Sequence, residues 1–315
     1  MKEIGGYFGF EQYGGEEYHC GAIGVNSGRN ALLYLLRARR YRKLYIPRFL
    51  CDSVYKLCVR EGIAYEEYPI DASFRPVFER ELQPDEAIYV VNFYGQISNQ
   101  EAQEMKERWG NLIFDNVQAF FQQAVPGIDT IYSCRKFFGV PDGGYVSTEQ
   151  RLDEPLERDQ SKERMEHILG RLEETAAEHY AAFQQNDELF YDLPLRKMSV
   201  LTENILRGID YAAVRRRREE NYAVLEAALG ETNPLKLCAP IGPYCYPFYC
   251  KNGMELKKIL AREKIYVATL WPNVLEYDAT LEKELAENIL PLPCDQRYGE
   301  EDMDRIVGII LNNKR

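Results

Sequence analysis

The chain has 315 residues, a formal net charge of -11 and 45% hydrophobic residues. Its length is enough for one large domain and a smaller one, and its acidic balance argues against a nucleic-acid partner, because phosphate binding needs a basic surface. No apolar run approaches the roughly 20 residues that span a bilayer, so we predict no membrane partner. The first residues also lack the apolar segment of a secretory signal, so we predict a cytoplasmic location.

The cysteines and histidines limit which metal sites and catalytic groups the chain can form. The eight cysteines are scattered without a CxxC pair, which predicts reduced thiols. The three histidines are His19, His167 and His179, and the last two lie in an acidic helical stretch. This composition favours neither a zinc site nor a Ser-His-Asp triad, so no metal is predicted.

The first half of the chain alternates strand and helix patterns. Residues 1–20 predict an irregular N-terminal arm, and Ser27 predicts the cap of a helix whose buried face starts at Ala31. A second helix is predicted with Asp52 or Ser53 as its N-cap, and a third covers 100–109. Strands are predicted at 43–47, 65–69, 86–92 and 111–115. This β-α-β order predicts a mainly parallel sheet flanked by helices.

The second half has a different character. Residues 149–185 are charged and helix-prone, and a long helix is predicted over 211–229 and ended by Gly230. The run Arg215–Arg218 inside that helix predicts a solvated face with acidic neighbours. Beyond it we predict a smaller α/β unit with strands at 244–250 and 265–271 and helices at 254–263 and 300–311. The predicted division is an arm (1–20), a large domain (21–210), and a bridging helix with a small C-terminal domain (211–315).

A lysine-containing turn organises the candidate site. Residues 133–144 join two predicted strands, 130–133 and 145–148, and Lys136 lies in the middle of the turn. A lysine held partly desolvated on a tight connection has a lowered pKa, which makes its amine a nucleophile for a carbonyl. The same residues also fit a surface lysine beside a hairpin. Ser133 and Lys136 further have the spacing of a hydrolase serine–lysine pair, although no accompanying motif is present.

Two other features point to the same chemistry. Asp115 lies where a predicted strand gives way to a loop, the place where α/β sheets bind ligands, and Gln118 follows three residues later. The helix capped by Ser27, with Gly28 beside it, offers free backbone N–H groups to a phosphate. Pyridoxal phosphate needs a helix N-terminus for its phosphate, a carboxylate for its ring nitrogen and a lysine for its aldehyde. The three features together supply this set.

These motifs resemble the DegT/StrS-type family of pyridoxal-phosphate enzymes, which are sugar-nucleotide aminotransferases of fold type I, the aspartate-aminotransferase class. Residues 26–32 are similar to the family's phosphate loop, 115–119 to its Asp-x-Ala-Gln-Ala segment, and 136–144 to its lysine turn with paired glycines. Weaker similarities lie at 46–51, 92–96, 196–199, 217–222 and 289–293. The resemblance covers nearly the whole chain.

The resemblance implies a role for each site residue. Lys136 would hold the cofactor as a Schiff base and move the proton, Asp115 would pair with the ring nitrogen, and Gln118 would lie near the ring hydroxyl. Ser27, Gly28, Arg29 and Ser133 would hold the phosphate, and Cys51 would lie at the ring. It also implies transfer of an amino group from an amino acid, glutamate or glutamine, to a keto sugar or sugar nucleotide in amino-sugar biosynthesis. The enzyme would be a homodimer, with partner residues near Arg196–Ser199 entering the site.

Some positions depart from the family pattern. Arg29 stands where the family has threonine, and Cys51 stands where it often has an aromatic residue, which weakens stacking on the ring. Ser133 precedes the lysine by three residues where five are usual, and the segment between Asp115 and Lys136 is shorter. These departures leave a second hypothesis open, in which a catalytically degenerate protein of this fold acts as a regulatory or assembly partner.

Overall fold

The computed structural model describes residues 4–278 and 280–313, and one large sheet dominates it. The strands in these residues are Ile23–Val25 (β1), Lys43–Pro47 (β2), Ala64–Tyr68 (β3), Glu86–Val91 (β4), Leu112–Asp115 (β5), Asp129–Ser133 (β6), Gly144–Ser147 (β7), Tyr246–Tyr249 (β8) and Ile289–Leu292 (β9). The α-helices are Gly28–Arg39 (α1), Asp52–Glu61 (α2), Asn99–Trp109 (α3), Glu166–Glu173 (α4), Tyr180–Leu189 (α5), Val200–Arg207 (α6), Tyr211–Leu229 (α7), Gly253–Arg262 (α8), Leu281–Asn288 (α9) and Glu300–Asn313 (α10).

The large sheet has seven strands in the order β1-β7-β6-β5-β4-β2-β3. All its pairings are parallel except those of β7, which is antiparallel to both β1 and β6. Strands β1, β5 and β6 therefore run in one direction and end at the same edge, where β7 begins. The predicted mainly parallel α/β architecture is confirmed. At this edge Gly144 pairs with both Val25 and Ser133.

Local sequence signals explain where the helices begin. Ser27 caps α1 by accepting a hydrogen bond from the Asn30 backbone N–H at 3.1 Å. Ser98 and Glu101 form a reciprocal capping box at the start of α3. The start of α2 differs slightly from the prediction: the helix begins at Asp52, and the N-cap residue Cys51 makes no side-chain capping bond.

The C-terminal unit is less regular than predicted. Residues 265–271 form no strand, so that prediction is wrong; Lys264 and Trp271 at its ends have left-handed backbone, with φ of 60° and 61°. The partner of β8 is instead β9, whose sequence Ile-Leu-Pro-Leu gave a poor strand signal because it contains Pro291. The helix-prone stretch 149–185 contains α4 and the start of α5.

The C-terminal unit has a core of its own. Tyr222 and Leu225 on α7 pack with Met303 and Ile306 on α10 and with Leu290 on β9, all nearly fully buried. The domain boundaries given above remain a prediction. Within the residues that the structure describes, no helix combines the length and the apolar character needed to cross a membrane.

The arm is attached to the sheet through His19. Its ring stacks on Tyr132 with centroids 4.0 Å apart, and its Nε2 lies 2.8 Å from the carbonyl oxygen of Phe120. Burial disfavours the charged imidazolium and lowers the pKa of His19 to about 4. His19 is therefore neutral in the folded protein at neutral pH.

We expect the free energy of unfolding to fall as the pH decreases from 6.5 towards 4. Over this range the unfolded state binds a proton at His19 and the folded state does not, so acid favours unfolding by about 3 kcal/mol near pH 4. Urea denaturation at several pH values measures the effect. His19→Gln keeps an N–H donor but cannot titrate, so its curve should be flatter in this window. Equal slopes in the two proteins would contradict the assignment.

Candidate active site

The site lies at the edge where β1, β5 and β6 end. Ser27 and Gly28 follow β1, Asp115 is the last residue of β5, and Ser133 is the last residue of β6. A 3-10 turn, Cys134–Lys136, follows directly and carries the lysine. Because β5 and β6 are adjacent and β1 is joined to them through β7, the sheet brings these positions into one region.

Asp115 is buried, with 3% of its surface exposed. The Tyr89 hydroxyl donates to Asp115 Oδ2, and the Val117 backbone N–H donates to Oδ1 at 2.7 Å. Burial raises the pKa of Asp115, while these donors and the nearby charge of Lys136 lower it. The carboxylate lies in an environment that favours a cationic partner.

The two polar atoms of the Gln118 side chain differ in their hydrogen bonding. Its Oε1 accepts a hydrogen bond from the Tyr94 backbone N–H at 2.8 Å. Its Nε2 is buried and has no hydrogen-bond partner among the described residues. A buried amide donor without an acceptor is costly, and a ligand oxygen in front of it would remove that cost.

The turn after β1 and the lysine turn are in close contact. A Cβ atom on Gly28 would lie 3.4 Å from Ser133 Cβ and 3.5 Å from Val117 Cγ1. A Cβ on Gly144 would lie 2.8 Å from the backbone C and O atoms of Ser27. The second of the paired glycines is thus required for the lysine turn to approach the N-terminus of α1. Gly143, at φ of 116°, donates its N–H to the Asn26 carbonyl at 2.9 Å.

Replacing Gly144 with alanine should destabilise the protein by about 1–3 kcal/mol, because the added methyl group would overlap the Ser27 backbone. Gly139→Ala is the matched control, since its Cβ would meet only Ile168 Cγ2 at 3.7 Å. Thermal unfolding of both variants measures the difference. A Gly144→Ala protein as stable as the control would show that this approach is not tight.

Arg29 is held by an aromatic ring. Its guanidinium lies 4.0 Å from the centroid of the Tyr191 ring, and its buried Nη1 has no hydrogen-bond partner in the part of the chain that the structure describes. The Tyr191 hydroxyl donates to Asp52 Oδ1 at 3.2 Å, and Cys51 Sγ lies 3.5 Å from the same oxygen. Arg29 therefore lies at the ring of Tyr191, and Cys51 lies beside the carboxylate that accepts from its hydroxyl.

Lys136 itself is exposed, so the expectation of a partly desolvated amine is not met. Its Nζ lies 5.8 Å from the centroid of the Tyr244 ring. A cavity of about 600 Å³ opens beside it towards the C-terminal unit. Polar and aromatic side chains in its wall include Arg135, His167, Arg171, Arg218, Tyr244, Tyr266 and Arg297. Asp115 and Gln118 do not line this cavity.

Several residues at the site were not predicted. Tyr89 lies on β4, two residues before the Val91 that pairs with Asp115, and so shares the face of Asp115; only the strand register reveals this. Asp142, inside the lysine turn, is fully buried and accepts hydrogen bonds from Ser199 and Thr202 at the start of α6. Tyr191 belongs to no recognisable motif, because its role depends on the contact with Arg29, which is distant in sequence.

Comparison with family models and with curated proteins finds no match to this sequence. Solved structures, by contrast, are similar to this chain over about 92% of its length. The chain is 18% identical to a DegT DnrJ EryC1 StrS aminotransferase from Brucella abortus, with a TM-score of 0.60, over 92% of this chain and 85% of that one. It is 13% identical to PseC of Helicobacter pylori, an aminotransferase of pseudoaminic acid biosynthesis, with a TM-score of 0.60 over 92% and 86%.

A third structure, NtdA of Bacillus subtilis with bound cofactor PMP, gives a TM-score of 0.65 at 15% identity over 92% of this chain and 72% of that one. The chain has the aminotransferase fold. The predicted resemblance to DegT/StrS-type structures and the predicted fold class are confirmed at the level of the fold, and the activity must be argued from the site.

Proposed function

We propose that the protein is a pyridoxal-phosphate-dependent aminotransferase. One observation carries the proposal. The strand ends at one edge of the sheet carry a buried carboxylate, the first turn of a helix and a lysine. The fold to which this sheet belongs is that of solved aminotransferases. The similar structures include two aminotransferases and a third protein that holds the cofactor PMP.

The residues present fit the cofactor. Gln118 Nε2 and Arg29 Nη1 are buried donors without acceptors among residues 4–278 and 280–313, which suits a ring oxygen and a phosphate. The Ser27–Gly28 turn lies against Ser133 at the N-terminus of α1, where backbone N–H groups favour an anion. Asp115 is buried in a place that favours a cationic partner, which a protonated ring nitrogen provides.

Each residue then has a distinct task. Ser27, Gly28, Arg29 and Ser133 bind the phosphate, and Cys51 lies at the ring. Asp115 keeps the ring nitrogen protonated, with Tyr89 orienting its carboxylate. Bound pyridoxal phosphate supplies an aldehyde for attachment and a ring that withdraws electrons from the reacting carbon. Lys136 would hold the aldehyde through its Nζ and, as a free amine, would carry the proton between the α-carbon of the substrate and C4′ of the cofactor.

The cavity beside Lys136 is the space for substrates. Arg171 and Arg297 in its wall are exposed, and they favour the carboxylate of an amino-acid donor such as glutamate or glutamine. The acceptor we propose is a keto sugar or a sugar nucleotide, supported by the sugar-biosynthetic aminotransferases among the similar structures. We propose amino-sugar biosynthesis as the pathway and the cytoplasm as the location.

We also propose that the enzyme is a homodimer with its site at the subunit boundary. The exposure of Lys136 in the single chain leaves room for a partner to cover it. The segment 196–198 runs beside β1 of its own chain, and the Arg196 side chain remains 35% exposed. Arg196 is therefore the candidate for reaching a partner's site. Sedimentation that gives a stable monomer would contradict this.

The test of the function is a visible spectrum of the purified protein with added pyridoxal phosphate, before and after borohydride, followed by peptide mass mapping. We expect a yellow absorption band and a reduced adduct on Lys136. No band, or an adduct spread over surface lysines, would contradict the proposal. Binding without transfer from any amino donor would instead favour the degenerate regulatory protein.

A further inference from the structure

One arginine of the basic run on α7 differs from its neighbours. Arg215 and Arg217 are exposed and pair with Glu219 and Glu220, whereas Arg218 is 1% exposed. The prediction of a solvated face is therefore wrong for Arg218. The signal that could have revealed it is helical periodicity, since Arg218 lies on the buried face with Asn221, Tyr222 and Leu225.

Arg218 is buried without a carboxylate at ion-pair distance in residues 4–278 and 280–313. Its guanidinium donates instead to three uncharged acceptors: Gln296 Oε1 at 2.7 Å, the Pro243 carbonyl at 2.8 Å and the Phe137 carbonyl at 3.2 Å. It also lies 4.5 Å from the centroid of the Phe137 ring. Burying a cation is costly unless hydrogen bonds satisfy its donors, and here those hydrogen bonds join three separate segments of the chain.

The group held is the backbone directly after the lysine. The Phe137 carbonyl accepts hydrogen bonds from Arg218 Nη2 and, at 2.8 Å, from Gln296 Nε2. Arg218 and Gln296 are bonded to each other, so the two donors and the carbonyl form a closed triangle. The C-terminal part of the chain thus fixes one end of the lysine turn.

The same helix fixes the segment that carries Gln296. Asn221, three residues after Arg218, donates to the carbonyls of Cys294, Asp295 and Tyr298. Asp295 pairs with Arg297 through both carboxylate oxygens. Gln296 is therefore presented from a loop that α7 holds.

This matters because Lys136 is exposed. A flexible four-carbon side chain in solvent has many rotamers, and the position of its backbone sets the region that its amine can reach. The backbone of the lysine turn is held on one side by Asp142 and α6. On the other side it is held by Arg218 and Gln296.

We propose that Arg218 and Gln296 are positioning residues for Lys136, setting its amine for attack on an aldehyde bound at the Asp115 edge. The inference rests on the proposed function. In the step concerned, Lys136 Nζ attacks the aldehyde carbon, the aldehyde oxygen leaves as water, and a carbon–nitrogen double bond remains, which borohydride reduces by delivering hydride to that carbon.

The test separates covalent capture from binding. With pyridoxal phosphate, the rate of capture at Lys136 is measured by borohydride quenching and mass mapping. With pyridoxamine phosphate, which lacks the aldehyde, equilibrium dialysis measures binding alone. We expect Gln296→Leu and Arg218→Met to slow capture by about 10- to 100-fold. The affinity for pyridoxamine phosphate should stay within about twofold of the wild type, because the hydrogen bonds of the triangle go to Phe137 and Pro243 and not to Ser27 or Gly28. Arg217→Met, on the exposed face of the same helix, is the matched control and should match the wild type in both.

The outcomes are distinct. If the wild type itself is not captured at Lys136, the proposed function fails. If it is captured but Gln296→Leu reacts at the wild-type rate, the positioning role fails and the function stands. Loss of pyridoxamine phosphate binding in step with capture would mean that the triangle serves only general folding, which also overturns the inference. Should Arg218→Met not fold, Gln296→Leu decides alone, since Gln296 is only partly buried.

Discussion

A Lys136→Ala protein should show no transamination above background, a loss of about 10³-fold or more, because both the attachment of the aldehyde and the transfer of the proton depend on one amine. The side chain is exposed, so the melting temperature should stay near that of the wild type. The measurement is a coupled assay for the keto acid formed from glutamate, with borohydride labelling alongside.

Lys258→Ala serves as the control for Lys136→Ala, because Lys258 is an exposed lysine on α8 that pairs with Glu255 on the same helix. It should keep both the activity and the specific label. If Lys136→Ala retained the borohydride-fixed adduct at another lysine together with turnover, the assignment of the nucleophile would be wrong.

An Asp115→Asn protein should lose about 10³-fold in rate while becoming no less stable without cofactor. The amide can still accept from the Val117 N–H, but it cannot keep a ring nitrogen protonated. Removing a buried carboxylate whose pKa is raised by burial lowers the cost of folding. Activity and stability should therefore move in opposite directions. Single-turnover kinetics and thermal unfolding of the cofactor-free protein measure the two effects.

Tyr89→Phe provides a graded comparison for the same position. It removes the hydroxyl that donates to Asp115 Oδ2 and leaves the carboxylate in place. Because that donor lowers the pKa of Asp115, its loss should raise the pKa further and reduce the rate by less than Asp115→Asn does. A rate for Asp115→Asn within threefold of the wild type would remove the carboxylate from the mechanism.

The sequence predicted the parts of this site that local patterns encode. Ser27 and Gly28 form a capping turn, Asp115 ends an apolar strand, and Lys136 lies before a pair of glycines. Each signal spans a few residues. The structure confirms the capping turn and the strand end, whereas Lys136 is exposed and was expected to be partly desolvated. The strand predicted at 265–271 failed because local β-propensity was overridden by left-handed backbone at both of its ends.

What the sequence could not provide were contacts between distant segments. The bond between Tyr89 and Asp115 depends on strand register, the stacking of Arg29 on Tyr191 joins residues far apart in the chain, and the burial of Arg218 depends on which face of α7 meets the C-terminal loop. In each case the sequence contains the residue but does not indicate which distant residue it contacts.

The antiparallel insertion of β7 also has a consequence for synthesis. Strand β1 is joined to the sheet through β7, so the turn that carries Ser27 cannot take its place until residues 144–147 have left the ribosome. Contacts of such large sequence separation form late and cooperatively. The nascent chain therefore acquires its anion-binding turn and its lysine turn together, and a chain that stalls before β7 carries an unpaired strand at its N-terminus.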